Sequence, residues 1–347
     1  MPAQTPADTP ADTPARNRRI LLARRPCGVP VPDDFRQVEE AVPTAGDGEI
    51  LVRNRLLSVD PAIRGWLDDK ESYFPPIQLG ALINAIVIGT VVESRVPGYA
   101  PGDIVTGFGG WEDYSRLTPS PIVSKLDPAP DVPLSRYLSA LGPTGLTAHV
   151  GLHVIAPVRA GETVVVSAAA GAVGSIAVQI GRLRGCRVVG IAGGADKCRW
   201  LVETLGVGAA IDRHDPTPLD DALKAHCPAG IDVYFDNVGG ATLDTILGHM
   251  NIGGRIATCG MIADYNAAEP YGVKNLWQLV VKRLNMRGFL TYDHEDALPA
   301  ARRDLGQWVA QGALISTEEV VDGLDNTVAT FLRLFTGSHS GKLLVRP

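Results

Sequence analysis

Glu162-Thr-Val-Val-Val-Ser-Ala-Ala-Ala-Gly-Ala-Val-Gly174 decides the fold of this chain. Its first part is a β-branched apolar run of the kind that fills a strand covered on both faces. Its second part is a small-residue turn, and from Val173 to Leu183 apolar residues recur at helical spacing. Strand, glycine turn and helix start give a G-x-G-x-x-G fingerprint its meaning; here Ala169, Gly171 and Gly174 fill its three places. Gly171 lets the backbone approach a pyrophosphate, and Gly174 lets the helix pack close to the sheet. The first helical turn offers free N–H groups to phosphate oxygens.

The alternation continues downstream. Arg187 to Ile191, Ala209 to Asp212, Ile231 to Asp236 and Gly254 to Cys259 read as further strands, with a helix over Lys197 to Leu205. Strands alternating with helices predict a doubly wound parallel sheet, a Rossmann-type α/β domain over 146–315. Upstream, over 17–145, short β-like runs such as Glu49 to Ser58, Ile86 to Glu93 and Asp103 to Phe108 are punctuated by Pro and Gly. They predict a partly open β-barrel. A helix from Asn326 to Phe335 and a strand from Lys342 to Val345 make 316–347 a return to that barrel. Residues 1–16, with a Pro-rich ADTP repeat and no large apolar side chain, predict a disordered tail. The arginines at 18, 19, 24 and 25 flank only four apolar residues, too few for an export signal.

Composition narrows the function. The 347 residues carry 32 basic and 38 acidic side chains, a net charge of -6, against the clustered cations a nucleic-acid binder needs. No apolar run reaches the roughly 18–20 residues of a membrane span. Five cysteines without a CxxC pair fit a reducing compartment, and hence the cytoplasm.

The end of the second strand selects the cofactor. An NAD site places Asp or Glu there, for the ribose hydroxyl. This chain has Ala192-Gly193-Gly194, followed by Lys197 and Arg199, with Arg213 after the third strand. A missing carboxylate and nearby cations predict a pocket for the 2′-phosphate of NADP(H). Asp196 is expected to point outward as a helix start. No zinc set is evident: Cys27, Cys186, Cys198, Cys227 and Cys259 are scattered, and His149 and His153, four apart, read as an exposed or helix-packing pair. Gly337-Ser-His-Ser-Gly-Lys342 matches neither a P-loop nor a nucleophile elbow.

Taken together, Ser58-Val-Asp-Pro-Ala-Ile-Arg-Gly65, Gly145 to Ala148, Ala169 to Ser175, Gly190 to Gly194 with Lys197, Phe235-Asp-Asn-Val-Gly-Gly240 and Cys259 to Asn266 resemble the medium-chain dehydrogenase/reductase superfamily. More narrowly, the chain resembles the zinc-free leukotriene B4 12-hydroxydehydrogenase/prostaglandin reductase branch, with its alkenal and curcumin reductases. The resemblance runs from about residue 18 to the end and implies a GroES-like barrel beside the Rossmann domain. It implies that Gly171, Ala172, Val173 and Gly174 bind the pyrophosphate, with Gly193, Lys197 and Arg213 at the 2′-phosphate. It implies that Asn237, then Cys259, Gly260, Met261, Ile262 and Tyr265, line the nicotinamide side, flanked by Phe289, Leu290 and Thr291. Tyr265 corresponds to the family's tyrosine near the substrate carbonyl. Arg213 replaces a usual Tyr, and His339 replaces the Asn of the C-terminal cofactor contact.

A branch without a Lewis acid suits reduction of an activated C=C bond. The expected reaction is therefore hydride transfer from NADPH to the β-carbon of an enone or enal. A hydroxyl, from Tyr265 or the cofactor ribose, then steadies the enolate oxygen. Trp66, Tyr73 and Tyr114 are candidate walls of the substrate cleft. A homodimer is implied, paired through the strand near Asn285 to Leu290. The alternatives are an NADPH quinone reductase and a non-catalytic NADPH-binding protein.

Overall fold

A computed structural model describes residues 16–120 and 123–347. The proposed tail lies outside the described residues as far as residue 15, while Arg16 already belongs to a strand. In chain order the first part holds β1 (Arg16–Leu22), β2 (Phe35–Ala41), β3 (Ile50–Ser58), a short α1 (Ile63–Trp66), β4 (Asn84–Ser94), β5 (Ile104–Gly110), β6 (Tyr114–Leu117) and β7 (Ser124–Leu126). Helix α2 (Pro143–Val150) leads through one π turn into β8 (Thr163–Val166), α3 (Gly174–Leu183), β9 (Arg187–Ala192), α4 (Ala195–Glu203) and β10 (Ala209–Asp212). Next come α5 (Leu219–His226), β11 (Ile231–Asp236), α6 (Gly240–His249), β12 (Met250–Thr258), α7 (Trp277–Val281) and β13 (Asn285–Gly288). The chain closes with α8 (Leu298–Ala310), β14 (Glu318–Asp322), α9 (Thr327–Thr336) and β15 (Lys342–Arg346).

The parallel sheet runs β10-β9-β8-β11-β12-β13. Numbered within the sheet this is 3-2-1-4-5-6, the Rossmann order, and it puts the crevice where β8 and β11 diverge. Both faces are covered. Val164 and Val166 point into one apolar layer with α3 and α8, while Val165 points into the other with α5 and α6. That explains the unbroken valine run. The segment Asn285 to Gly288, with Met286 its one apolar side chain, pairs parallel with β12 as the sheet's edge.

The second sheet runs β14-β15-β3-β4-β5-β7, with β6 also on β3. Trp111 anchors its core against Phe35 and against Phe331 of α9. The C-terminal strand β15 lies antiparallel to β3 and parallel to β14. Lys342 of β15 is buried; its Nζ donates to the Val59 carbonyl at 2.9 Å and to Asp60 Oδ1 at 2.8 Å. This ion pair fastens the end of the chain beneath the loop that follows β3. The basic segment at Arg18 and Arg19 is strand β1, and those two arginines pair with Asp113 and Glu112.

Candidate active site

The C-terminal ends of β8, β11 and β12 meet at Asp236, whose side chain is fully buried. Its Oδ1 accepts from Tyr234 Oη at 2.8 Å, from the amides of Val238 and Gly239 at 2.9 Å each, and from Ser167 Oγ at 3.2 Å. Burial pushes the carboxyl above its ordinary range, and these four donors act against that rise. Backbone amides of Cys259 and Gly260 reach the Asp236 carbonyl at 2.8 and 3.2 Å. Asn237 closes the arrangement, its Nδ2 donating to the Ser167 carbonyl at 2.7 Å. One residue thus holds the loops after β8, β11 and β12 in register.

The glycine turn fits a phosphate cradle. Ala168 takes φ 46°, a conformation rare for a residue with a side chain, as the chain leaves β8. A Cβ on Gly174 would stand 2.2 Å from the Ala168 carbonyl, so only glycine permits this turn to enter α3. Ala172 and Val173 lie at its mouth, partly exposed.

A cationic corner lies beside β9. A Cβ on Gly193 would stand 2.8 Å from Arg213 Nε, so the missing side chain leaves room for the guanidinium. Lys197 Nζ donates to the Gly337 carbonyl at 2.7 Å, and burial followed by the charge of Arg213 lowers its pKa. Asp196 points outward and pairs with Arg199. The segment from Gly337 to Gly341 runs from this corner to the glycine turn, where the Gly341 amide donates to the Ala170 carbonyl at 2.8 Å. His339 sits midway along it.

Opposite lies the cleft. The Tyr265 hydroxyl accepts from the Met261 amide at 3.4 Å, and a Cβ on Gly260 would stand 3.0 Å from it. Burial pushes its pKa up, which keeps the proton on oxygen at neutral pH. Tyr73 faces it. Burial and then the nearby Tyr265 push the Tyr73 hydroxyl up to about 12, while the residue as a whole is 59% exposed. Trp66 meets Tyr73 edge-on at 6.2 Å but is itself part of the barrel core. The thiol of Cys259 is pushed up to about 12 by burial and then by Asp236, so it stays protonated. Met261 packs on Gly239, and the Ile262 amide donates to the Asn237 carbonyl at 3.3 Å.

Phe289 leans on Gly151, Leu290 is part-exposed, and Thr291 Oγ1 bonds Thr147 Oγ1 at 2.7 Å. Tyr114 stands elsewhere, in a depression of the barrel with Asn17, Arg19 and Arg116. Its place on β6 directs it away from Trp66 and Tyr73. His149 and His153 stack at 3.9 Å, and His149 Nε2 meets Asp304 Oδ2 at 2.9 Å. These three are the one metal-compatible grouping among the described residues, and Arg184 shares Asp304 at 3.3 Å.

Several contributors carry no local sequence signal. Besides Asp236 and Ser167, buried Arg64 donates from Nε to Asn266 Oδ1 at 2.9 Å, joining the barrel to the loop that bears Tyr265. The motif Ser58 to Gly65 contains Arg64, but its partner lies 202 positions away.

Residues 18–124 match the family described as the N-terminal domain of oxidoreductase, and residues 172–306 match that described as zinc-binding dehydrogenase. The chain is 43% identical over 337 residues to the NADPH-dependent curcumin reductase of Escherichia coli, covering 95% of this chain and 97% of that one. It is 37% identical to the 2-alkenal reductase (NADP(+)-dependent) of Nicotiana tabacum, covering 95% and 97%. This chain belongs to the medium-chain dehydrogenase/reductase family, in its zinc-independent alkenal/curcumin reductase branch. The crystal structure of CurA from Vibrio vulnificus in complex with NADPH superposes with a TM-score of 0.89 at 38% identity, covering 95% of this chain and 98% of that one. The reductase is an NADP(H)-dependent oxidoreductase.

The hub makes a stability prediction. In this reductase Asp236→Ala orphans four buried donors, at about 1–3 kcal/mol for each one left unsatisfied. Denaturant unfolding is expected to show a loss of about 3 kcal/mol or more, with Asp236→Asn recovering most of it through its remaining oxygen. An alanine variant as stable as the parent contradicts the hub.

Proposed function

We propose that this enzyme reduces the C=C bond of α,β-unsaturated ketones and aldehydes. The observation that carries the reading is the Tyr265 hydroxyl. It accepts from the Met261 amide, keeps its proton, and faces the cleft beside Tyr73. Relatives named for curcumin, 2-alkenal, (+)-pulegone and prostaglandin reduction support the same class of chemistry.

In this reading Gly171 to Gly174 hold the pyrophosphate, while Lys197 and Arg213 hold the 2′-phosphate. Asn237 and the loop from Cys259 to Ile262 support the nicotinamide side, with Phe289 to Thr291 behind it. When bound, NADPH supplies hydride to the substrate's β-carbon, and the α-carbon then takes a proton that comes from solvent. Tyr265 donates a hydrogen bond to the carbonyl oxygen, and the bond strengthens as negative charge gathers there. Tyr73 and Trp66 close the cleft from the barrel side. The catalytic domain is 17–145 with 316–347, and the nucleotide domain is 146–315. Five free cysteines suit a reducing compartment and support a cytoplasmic placement. No helix among the described residues is long and apolar enough to cross a membrane.

The enzyme is proposed to pair with a second copy of itself. Among the described residues the β13 edge has no neighbour beyond β12, and Trp277 and Val280 of α7, 68% and 61% exposed, stand nearby with Ile252. An antiparallel β13–β13 contact would cover both. Light scattering is expected to give twice the chain mass, reduced to the single mass by Trp277→Asp with Val280→Asp; a monomeric parent refutes the pairing.

The reaction is tested with Tyr265→Phe, which keeps the ring and removes the donor. On a panel of enones, enals and quinones, NADPH oxidation by the parent should be fastest with enones or enals. The variant's turnover should fall about ten- to a hundred-fold, or about 1.4–2.7 kcal/mol of barrier, with little change in NADPH affinity. Unchanged turnover at a rate-limiting hydride step returns Tyr265 to a pocket wall. Quinone turnover without enone turnover favours a quinone reductase.

A further inference from the structure

His339 stands where the cationic corner and the glycine turn are joined. Two residues before it, the Gly337 carbonyl accepts from Lys197 Nζ at 2.7 Å, and Arg213 Nη2 lies 3.8 Å from where a Gly337 Cβ would be. Two residues after it, Gly341 pairs with Gly171 and bonds Ala170. The ring is half-buried, and its Nδ1 lies 3.3 Å from the Arg333 carbonyl. A carbonyl only accepts, so Nδ1 carries the hydrogen and Nε2 is the free edge of the ring.

Three cations and one carboxylate face this ring. Lys197 comes from α4, Arg333 from α9 and Lys342 from β15. Glu319 of β14 is near, but both of its oxygens are taken by Arg333 at 2.6 and 2.8 Å. Lys342 is similarly committed to Asp60, whereas Lys197 holds only a backbone carbonyl. Burial, then Lys197, pushes His339 down to about 4, so the ring is neutral at physiological pH. The corner therefore has two cations, Lys197 and Arg213, and beside them one ring whose charge burial, Lys197, Arg333 and Lys342 suppress.

We infer that His339 is the third cation of the 2′-phosphate pocket, taking a proton from solvent onto Nε2 when NADPH binds. The inference rests on the NADP(H) reading above. A phosphate placed between Lys197, Arg213 and Nε2 reverses the field on the ring, because an opposite charge within a few ångströms favours the charged form. The Nδ1–H bond to Arg333 is kept, and Nε2–H becomes a charge-assisted donor to a phosphate oxygen. The bound ring's pKa is raised above the free value. The added affinity is thus present below the bound pKa and fades as pH rises through it.

Calorimetry of NADPH binding in two buffers of different ionisation heat counts the protons. A ring moved from about 4 to an ordinary imidazole value of about 6.5 takes up about half a proton at pH 6.5. It also tightens NADPH about four-fold at pH 6 and hardly at all at pH 8.5. The phosphate's own second ionisation is common to all variants, so the difference from His339→Asn isolates the ring. The parent is expected to take up about half a proton more than His339→Asn, and the affinity gap between them should close by pH 8.5. His339→Lys, with a fixed charge, should bind NADPH tightly without the extra uptake. Equal uptake and a constant affinity ratio in parent and His339→Asn overturn the inference. An equal uptake difference with NADH, which lacks the 2′-phosphate, overturns the assignment to that group. A parent that binds NADPH no better than NADH overturns the cofactor reading itself, and the inference with it.

Discussion

The carboxylate of Asp236 is the constraint on which the rest of the site depends. Four donors converge on one buried oxygen, and they come from three places: the end of β8, the body of β11 and the loop after β11. Its backbone carbonyl then captures the start of the loop after β12. A parallel sheet aligns strand ends but leaves the loops beyond them free to differ. Here one residue, through its side chain and its backbone carbonyl, fixes three loops relative to each other, and those loops carry the glycine turn, Asn237 and Tyr265. The carboxyl is raised by burial, so its donors offset a desolvation that an isolated carboxylate would not tolerate.

The second constraint is that the site is assembled from two sheets. Arg64, from the barrel, holds Asn266 immediately after Tyr265, and it also reaches the Gly28 carbonyl at 3.0 Å and Asp68 at 2.7 Å. The C-terminal segment returns from the barrel through the cationic corner to the glycine turn, and Lys342 then buries its charge against Asp60. The loop that bears Tyr265 is therefore tied to the barrel by polar contacts, which are directional and tolerate little displacement.

Legibility in the sequence followed locality. The strand–turn–helix from Thr163 to Leu183 could be read because its residues are neighbours in the chain and each has a backbone reason to be there. The missing carboxylate at Gly193 and the cation at Lys197 were legible for the same reason. The Ser167–Asp236 and Arg64–Asn266 bonds were not, because their partners lie 69 and 202 positions apart. Tyr114 lines a different depression from Trp66 and Tyr73, with Asn17 and Arg19, because β6 pairs with β3, a matter of strand register that spacing alone does not fix. The paired arginines at 18 and 19 belong to a strand whose acidic partners, Asp113 and Glu112, lie more than 90 positions away.

Hydride transfer to carbon–carbon rather than carbon–oxygen is the central claim, and the fate of a label tests it most directly. NADPH carrying deuterium at the transferable position is supplied with a simple enone, and the product is read by nuclear magnetic resonance. A hydrogen bond from Tyr265 to a carbonyl oxygen that stays on the molecule, as proposed above, predicts a saturated ketone with deuterium on the β-carbon. Deuterium on the former carbonyl carbon, in an allylic alcohol, would contradict it.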